Sequence, residues 1–249
     1  NVINAHYIYT DNLLVMFILL ALIAMAALIK EPDKKHYIIA GIFTGMAVAT
    51  KYNAVLLLAP FLCAHIISCD YDIKKTLSGG KVLLFAVMAV LSFIICNPYS
   101  ALDWRAFTAN ITKDIWPEYT GWAHHITHSM FEGMGALLTM LGIGGLVIIL
   151  CKKFKRNIFL VSFPALFYLH LVFRSQLFSR YTLPMIPFIS IGIGFLLFDH
   201  IGPRLKFKRH AIALLAISFT LPLMTIVKSL DADVLFARKD IRIEAAEWI

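Results

Sequence analysis

The sequence predicts an all-α fold: a polytopic membrane helical bundle of about eight transmembrane helices with an outer amphipathic loop. Of the 249 residues, 60% are hydrophobic and only 15% are charged, with a mean hydropathy of +0.78. Soluble domains contain about half apolar and about a quarter charged residues. The apolar residues form long runs, and the basic residues cluster between them. The net charge of +8 therefore indicates membrane orientation, and no nucleic-acid partner is expected.

Eight apolar runs are candidate spans. Most approach the roughly 20 residues that a helix needs to cross a bilayer. In lipid, each span must satisfy its own backbone hydrogen bonds, which favours helices. The predicted spans are residues 12–29, 37–49, 54–67, 82–95, 134–150, 157–173, 181–198 and 211–227.

The distribution of basic residues predicts how these spans are oriented. If the chain starts outside and all eight runs cross, the inner loops hold 14 of the 23 basic residues and five of the 15 acids. Inner loops are enriched in Lys and Arg, so this orientation is predicted. Residues 97–133, which contain several Trp and Tyr, then form an outer interfacial loop. A transmembrane domain over residues 1–227 is followed by residues 228–249, the start of an extracytoplasmic tail or domain.

Asp11 lies directly before the first apolar run. A carboxylate at the mouth of a membrane span is costly unless the protein uses it. Two interpretations are open. Together with Thr10, Asp11 can cap the first helix and interact with its dipole, or it can contribute a fixed carboxylate to a site.

Lys51 interrupts the apolar stretch from residue 37 to residue 67. One straight helix of this length would measure about 46 Å, which exceeds the roughly 30 Å of a bilayer core. We therefore predict two helical arms broken at residues 50–53, with Lys51 at their outer apex. A lysine at mid-membrane costs about 2.5–3.5 kcal/mol, so an anionic partner or a cavity is expected. The alternative is a lysine that snorkels from a helical turn.

Arg180 heads the run that contains Pro184 and Pro187. The two prolines remove backbone donors near the outer end of this span and loosen the helix where a cavity could open. A guanidinium group binds phosphate in a fork. The alternative is an interfacial anchor formed by Arg180 and Tyr181.

Two further patterns are weaker. Asn97 precedes a proline at the end of the fourth run, where a helix end alone would account for it. His124, His128 and Glu132 would share one helix face with a spacing that zinc could use. Ordinary loop histidines are the favoured interpretation, so no metal or cofactor is predicted.

Four motifs follow one another in a familiar order. They are HYxxTD at 6–11, AGxxxGMAxATKYN at 40–53, NPY at 97–99 and RYxxPxxP at 180–187. This order resembles the type C glycosyltransferases. Within them it is most similar to the bacterial family related to protein O-mannosyltransferases and to the lipid A aminoarabinose transferase. The block at 40–53 is the most specific of the four.

The resemblance implies a membrane enzyme that moves a sugar from a polyprenyl-phosphate carrier to a glycan, lipid or protein acceptor. The reaction would take place at the outer face of the bacterial inner membrane, with inversion at the anomeric carbon. Asp11 matches a second acidic residue near the site and is the predicted catalytic residue, supporting deprotonation of the acceptor hydroxyl rather than leading it. Lys51 and Arg180 would bind the donor phosphate. The principal acid of the family lies in an outer loop between helices that would precede residue 1. We therefore expect these 249 residues to be a piece of a longer protein. The supporting residues would be His6, Tyr52, Asn53, Asn97 and Tyr181.

Two other functions stay open from the sequence. A secondary transporter would also place ionisable groups near broken helices, although the chain shows no second copy of the broken segment. A non-catalytic partner in envelope polysaccharide assembly would fit the expected absence of the first outer loop.

Overall fold

A computed structural model describes residues 9–77, 80–113, 122–173, 178–204, 220 and 223–238. The regular structure in these residues is entirely helical, as the sequence predicts. The longer helices are α1 (Asp11–Lys30), α2 (Lys34–Thr50), α3 (Leu58–Ser68), α4 (Gly80–Cys96), α5 (Trp104–Lys113), α6 (Ala136–Lys152), α7 (Phe154–Val172), α8 (Ile186–Gly194) and α9 (Leu223–Phe236). Short 3₁₀, π or α segments lie between them at Tyr52–Leu57, Ile73–Leu77, Tyr99–Leu102, His125–Met130, Phe131–Met134, Ser179–Met185, Phe195–Ile201 and Gly202–Arg204.

Seven of the eight predicted runs coincide with described helices. The ends differ by a few residues because polar residues join the terminal turns; α7, for example, begins at Phe154 rather than at residue 157. The eighth run, 211–227, lies mostly outside the described residues. The helix α9 overlaps only its last residues and continues past position 228. The division into residues 1–227 and 228–249 therefore stays a prediction.

Within the described residues, two helical stretches are long and apolar enough to cross a membrane. They are Asp11–Lys30 and Ser179–Ile201. A third is counted if His125–Met134 and Ala136–Lys152, which meet at a bend of 113°, form one broken span. The all-helical fold with helices able to cross a membrane is thus confirmed, whereas the number of eight crossings stays a prediction.

The helices α2 and α3 form the predicted broken hairpin. Lys51 follows α2 in an extended conformation (φ −151°, ψ 131°), and the 3₁₀ segment Tyr52–Leu57 leads into α3. At the far end of the hairpin, the Tyr37 hydroxyl is hydrogen-bonded to Nδ1 of His65 at 2.6 Å. Lys51 therefore lies at the apex. The 17 residues of α2 span about 25 Å at 1.5 Å per residue.

Glycines allow α4 to pack closely along α2. A Cβ atom at Gly45 would overlap the backbone carbonyl oxygen of Ala89, and one at Gly41 would press on the carbonyl oxygen of Phe85. The Ser92 hydroxyl also donates to the backbone of α2, to the carbonyl oxygen of Ile42 at 2.9 Å. This is the small-residue packing by which helices associate in lipid, where van der Waals contact and interhelical hydrogen bonds replace the hydrophobic effect.

The helices α6 and α8 cross in the same way. Gly145 lies against the backbone of Gly192, and Gly142 lies against Ile189. The chain enters α8 through the 3₁₀ segment Ser179–Met185, which contains Pro184. Pro187 follows in the first turn of α8. The loosened entry that the two prolines predict is therefore observed.

Three of the four predicted inner loops gather at the end of the bundle opposite the α2–α3 apex; the fourth lies mostly outside the described residues. Lys81, at the start of α4, donates from Nζ to the carbonyl oxygen of Pro32 at 2.6 Å. The Tyr71 hydroxyl, after α3, donates to the backbone carbonyl of Lys155 at the start of α7. We call this the basic end. The side of the membrane on which it lies stays a prediction.

The outer stretch 97–133 is helical where it is described. It contains the short helix Tyr99–Leu102, the amphipathic helix α5 and the π-helical segment His125–Met130. Trp104 and Leu102 are exposed over 62% and 77% of their surface. The predicted amphipathic helix is thus present, and its position at a membrane interface stays a prediction.

Aromatic side chains dominate the core between these helices. The rings of Phe61 and Phe85 stack with centroids 3.5 Å apart, and Phe163 stacks between Phe167 and Phe188. Apolar side chains are also exposed on the outer helix faces, which suits contact with lipid hydrocarbon. Examples of these are Ile23, Leu83, Ile95 and Val147.

We expect Tyr37→Phe to lower the free energy of unfolding by about 1 kcal/mol, because it leaves the buried His65 ring without the hydroxyl partner. His65 is 3% exposed, and its Nε2 contacts the carbonyl oxygen of Thr76 at 3.2 Å. The measurement is unfolding of the purified chain in mixed micelles with increasing denaturing detergent. Tyr99→Phe is the control, since Tyr99 is 73% exposed. Equal stability of the two variants would contradict the prediction.

Candidate functional site

The structure brings Asp11, Lys51 and Arg180 together from three distant parts of the chain. Asp11 is the first residue of α1 and is only 2% exposed. Its Oδ1 forms an ion pair with Nζ of Lys51, and its Oδ2 lies 3.8 Å from Nε of Arg180. Both cations are about one quarter exposed. The arrangement is a buried carboxylate held by two partly exposed cations.

The break after α2 gives Lys51 its position. Because its backbone is extended, the side chain leaves the helix axis and reaches the start of α1. Its Nζ also lies 4.8 Å from the ring centroid of Tyr181, a cation–π contact. The anionic partner that the sequence predicts is therefore Asp11. This ion pair favours a partnered lysine over the snorkelling alternative.

The capping interpretation of Asp11 is also not supported. Thr10 occupies the N-cap position of α1, where no side chain makes a capping hydrogen bond. The Asp11 carboxylate contacts Lys51 and Arg180 instead. Its place in the first turn still favours a negative charge, because it lies at the positive end of the helix dipole.

Two aromatic rings that the sequence analysis did not assign hold Arg180. The guanidinium carbon lies 4.3 Å from the ring centroid of Tyr9 and 4.4 Å from that of Phe178. Contacts of this kind stabilise a cation and restrict its orientation. A signal was available: an aromatic residue stands two positions before Asp11 and another two positions before Arg180. The guanidinium carbon also lies 5.7 Å from the Tyr181 ring centroid, so an anchor formed by Arg180 and Tyr181 stays an alternative.

A cavity of about 290 Å³ opens beside the ion pairs. Four predicted site residues face it: Lys51, Tyr52, Asn53 and Tyr181. The Oδ1 atom of Asn53 is buried and has no hydrogen-bond partner among the described residues. Leu171, at the end of α7, was not predicted; it shows no signal in the sequence beyond its apolar character. The complete lining is Ala49, Thr50, Lys51, Tyr52, Asn53, Leu171 and Tyr181.

Asn97 supports the wall of this cavity. Its Nδ2 donates to the Tyr52 hydroxyl at 3.4 Å, so the side chain does more than end a helix. The Tyr52 ring packs edge-on against Phe107 of α5, with centroids 5.5 Å apart, and against Phe93 of α4 at 6.5 Å. The outer helix α5 therefore contacts the site through Tyr52.

The remaining candidates are His6 and the three residues considered as metal ligands. His6 lies outside the described residues. The rings of His124 and His128 stack with centroids 4.6 Å apart. Across the described part of the chain, no group of three or more His, Cys, Asp or Glu side chains is placed to hold a metal ion. The set of His124, His128 and Glu132 therefore lacks the geometry of a zinc site.

Comparison with known proteins finds a family match to the first part of the chain. Residues 2–99 match the family model described as dolichyl-phosphate-mannose-protein mannosyltransferase. Over these residues the match bears out the resemblance to the type C glycosyltransferases. This family consists of membrane glycosyltransferases, and the match covers Asp11, Lys51 and Asn97. Arg180 and Tyr181 lie outside the matched residues. No significant match was found among curated proteins or among solved structures.

Proposed function

We propose that the chain is part of a membrane glycosyltransferase that takes a sugar from a polyprenyl-phosphate carrier. The sugar passes to a glycan, lipid or protein acceptor at the outer face of the bacterial inner membrane. The observation that carries this proposal is the convergence of Lys51 and Arg180 on one buried carboxylate, beside a cavity.

The charges of the site favour an anionic ligand. Asp11 neutralises only one of the two cations, so the group retains one positive charge. A sugar linked to a polyprenyl phosphate carries a phosphodiester, and the leaving polyprenyl phosphate carries additional negative charge. Fixed cations in a partly dry site therefore stabilise the departing phosphate more than the bound donor. Such preferential stabilisation of the transition state accelerates the reaction.

In the proposed reaction, a hydroxyl oxygen of the acceptor attacks the anomeric carbon of the sugar. The bond from that carbon to the phosphate oxygen breaks, and its electron pair leaves with the phosphate beside Lys51 and Arg180. A base accepts the hydroxyl proton. Both oxygens of Asp11 already face cations, so we assign Asp11 to positioning Lys51 and Arg180. The base is then the principal acid that the family resemblance places before residue 1.

The position of the site within the bundle supports an outer location. Asp11 begins α1 and Lys51 lies at the apex of α2 and α3, at the end opposite the basic end. Loops rich in Lys and Arg face the cytoplasm. The location at helix ends also favours an enzyme of lipid-linked donors over a transporter, whose substrate site lies near the bilayer midplane.

The proposal is tested by binding and by reaction. We expect farnesyl phosphate, but not farnesol, to raise the unfolding temperature of the purified chain. Arg180→Met should weaken this binding about tenfold or more, because a charge-assisted contact to phosphate is lost. Arg238→Met, a change of an exposed arginine, should leave binding unchanged.

With the upstream helices present, the protein should release polyprenyl phosphate from dolichyl-phosphate mannose, the donor named by the matching family. Phosphate binding that survives loss of both Lys51 and Arg180 would refute the proposal.

A further inference from the structure

A second charged surface lies at the basic end, far from the cavity. It is formed by two segments, residues 69–77 after α3 and residues 152–156 between α6 and α7. Six cationic side chains in these segments are exposed, against two acids, Asp70 and Asp72. We call the six cations the basic surface: Lys74, Lys75, Lys152, Lys153, Lys155 and Arg156.

Tyr71 joins the two segments. Asp70 and Tyr71 both adopt left-handed backbone conformations, with φ of 53° and 60°. These conformations are costly for residues other than glycine and persist where surrounding contacts impose them. Here the Tyr71 hydroxyl donates to the backbone carbonyl of Lys155, and Nζ of Lys155 lies 5.5 Å from the Tyr71 ring centroid. The two cationic segments are thus held side by side.

Asp72 holds the backbone of Lys74 and Lys75 in place. Its Oδ1 accepts from the backbone N–H groups of Lys74 at 2.9 Å and Lys75 at 3.3 Å. This contact starts the short helix Ile73–Leu77. One of the two acids of the surface is therefore engaged with the backbone, while the lysine side chains next to it are exposed.

Large apolar side chains are interleaved with these cations. Ile73 is 74% exposed, Leu77 is 81% exposed and Phe154 is 58% exposed. Cations next to exposed aliphatic and aromatic side chains are the combination that recognises a membrane interface, where the phosphate headgroup meets the acyl chains. The surface also lies at the ends of apolar helices.

We propose that the basic surface binds the headgroups of anionic phospholipids in the leaflet at this end of the bundle. The cations contact lipid phosphates, and Ile73, Leu77 and Phe154 enter the boundary between headgroups and acyl chains. This site is separate from the cavity at Lys51 and does not depend on sugar transfer.

Native mass spectrometry of the purified chain tests this inference. The chain is equilibrated with mixed micelles of phosphatidylglycerol and phosphatidylcholine of equal chain length, and the ratio of retained lipids is measured. We expect a preference for phosphatidylglycerol that weakens as salt rises. In Lys74→Gln/Lys75→Gln the preference should fall about fivefold for each charge removed. The change Lys153→Gln/Arg156→Gln on the other segment should have a similar effect.

The matched control is Lys34→Gln/Lys35→Gln. It removes two exposed charges at the same end of the bundle but outside the basic surface, and should change the preference less than twofold. Equal losses of the preference in all three double variants would overturn the inference. They would indicate only a general electrostatic attraction of lipid phosphates to this end of the bundle. Displacement of phosphatidylglycerol by millimolar glycerol phosphate would also overturn it, because the ligand would then be a free phosphate compound. All these substitutions affect exposed side chains, so folding is checked by monodispersity in gel filtration.

Discussion

Replacing Lys51 by Met should lower the rate of sugar transfer by about 10²- to 10³-fold, the usual effect of losing one electrostatic contact to a transition state. The change also leaves the buried Asp11 carboxylate with only Arg180, at 3.8 Å. Removing one partner of a buried ion pair typically costs about 3–5 kcal/mol, and the value here should be near the lower end because Lys51 is 27% exposed. The measurements are polyprenyl phosphate release and unfolding in mixed micelles, each compared with the unchanged protein.

A double variant separates the two effects. In Asp11→Asn/Lys51→Met the buried charge is gone, so we expect most of the lost stability to return while activity and farnesyl phosphate binding stay low. Lys34→Met is the control, since Lys34 is exposed at the basic end. If the double variant recovered both stability and phosphate binding, Lys51 would be only a structural partner of Asp11, and the proposed donor site would be wrong.

Replacing Gly45 by Ala should destabilise the fold by about 1–3 kcal/mol, the usual cost of overpacking. The added Cβ would overlap the carbonyl oxygen of Ala89 and would lie only 2.9 Å from the Cβ of Ser92. Backbone atoms cannot rotate away, so α2 and α4 must separate. Because Lys51 follows directly after α2, binding of farnesyl phosphate should weaken as well. Denaturing-detergent titration and the thermal shift with farnesyl phosphate measure the two effects.

Gly144→Ala is the matched control for this change. Gly144 also lies within a helix, α6, but a Cβ there meets no atom within 4 Å. Helical propensity alone favours alanine over glycine by roughly 0.5–1 kcal/mol, so this variant should be as stable as the unchanged chain or slightly more stable. If Gly45→Ala behaved like Gly144→Ala, the close packing of α2 on α4 would be refuted.

The contrast between the two glycines shows how far sequence patterns extend. The spacing of Gly41 and Gly45 is typical of a helix-packing face, but the sequence does not say which helix packs there. That partner is α4, which packs along α2 although α3 lies between them in the chain. Which helix packs there depends on side-chain shapes across the whole bundle, and the periodicity of one helix does not predict it.

In the candidate site too, the sequence predicted individual residues but not all of their contacts. Charge and hydropathy were sufficient to select Asp11, Lys51 and Arg180, because an ionisable residue at the edge of an apolar run is costly and rare. The aromatic contacts of Tyr9 and Phe178 with Arg180 were not predicted. Their position two residues before a charged site residue was the available signal. Aromatic residues are common near membrane interfaces, so that position alone does not predict which cation they contact.

The sequence by itself determined the helical membrane fold, the break at Lys51 and the charged residues that mark one end of the bundle. Each depends on a local quantity: the length of an apolar run, the cost of a charge within it or the clustering of lysines. Only the tertiary structure decided that one carboxylate holds both cations and that Tyr71 joins two basic segments. Those contacts link residues that are distant in sequence, and the packing of whole helices determines which of them meet.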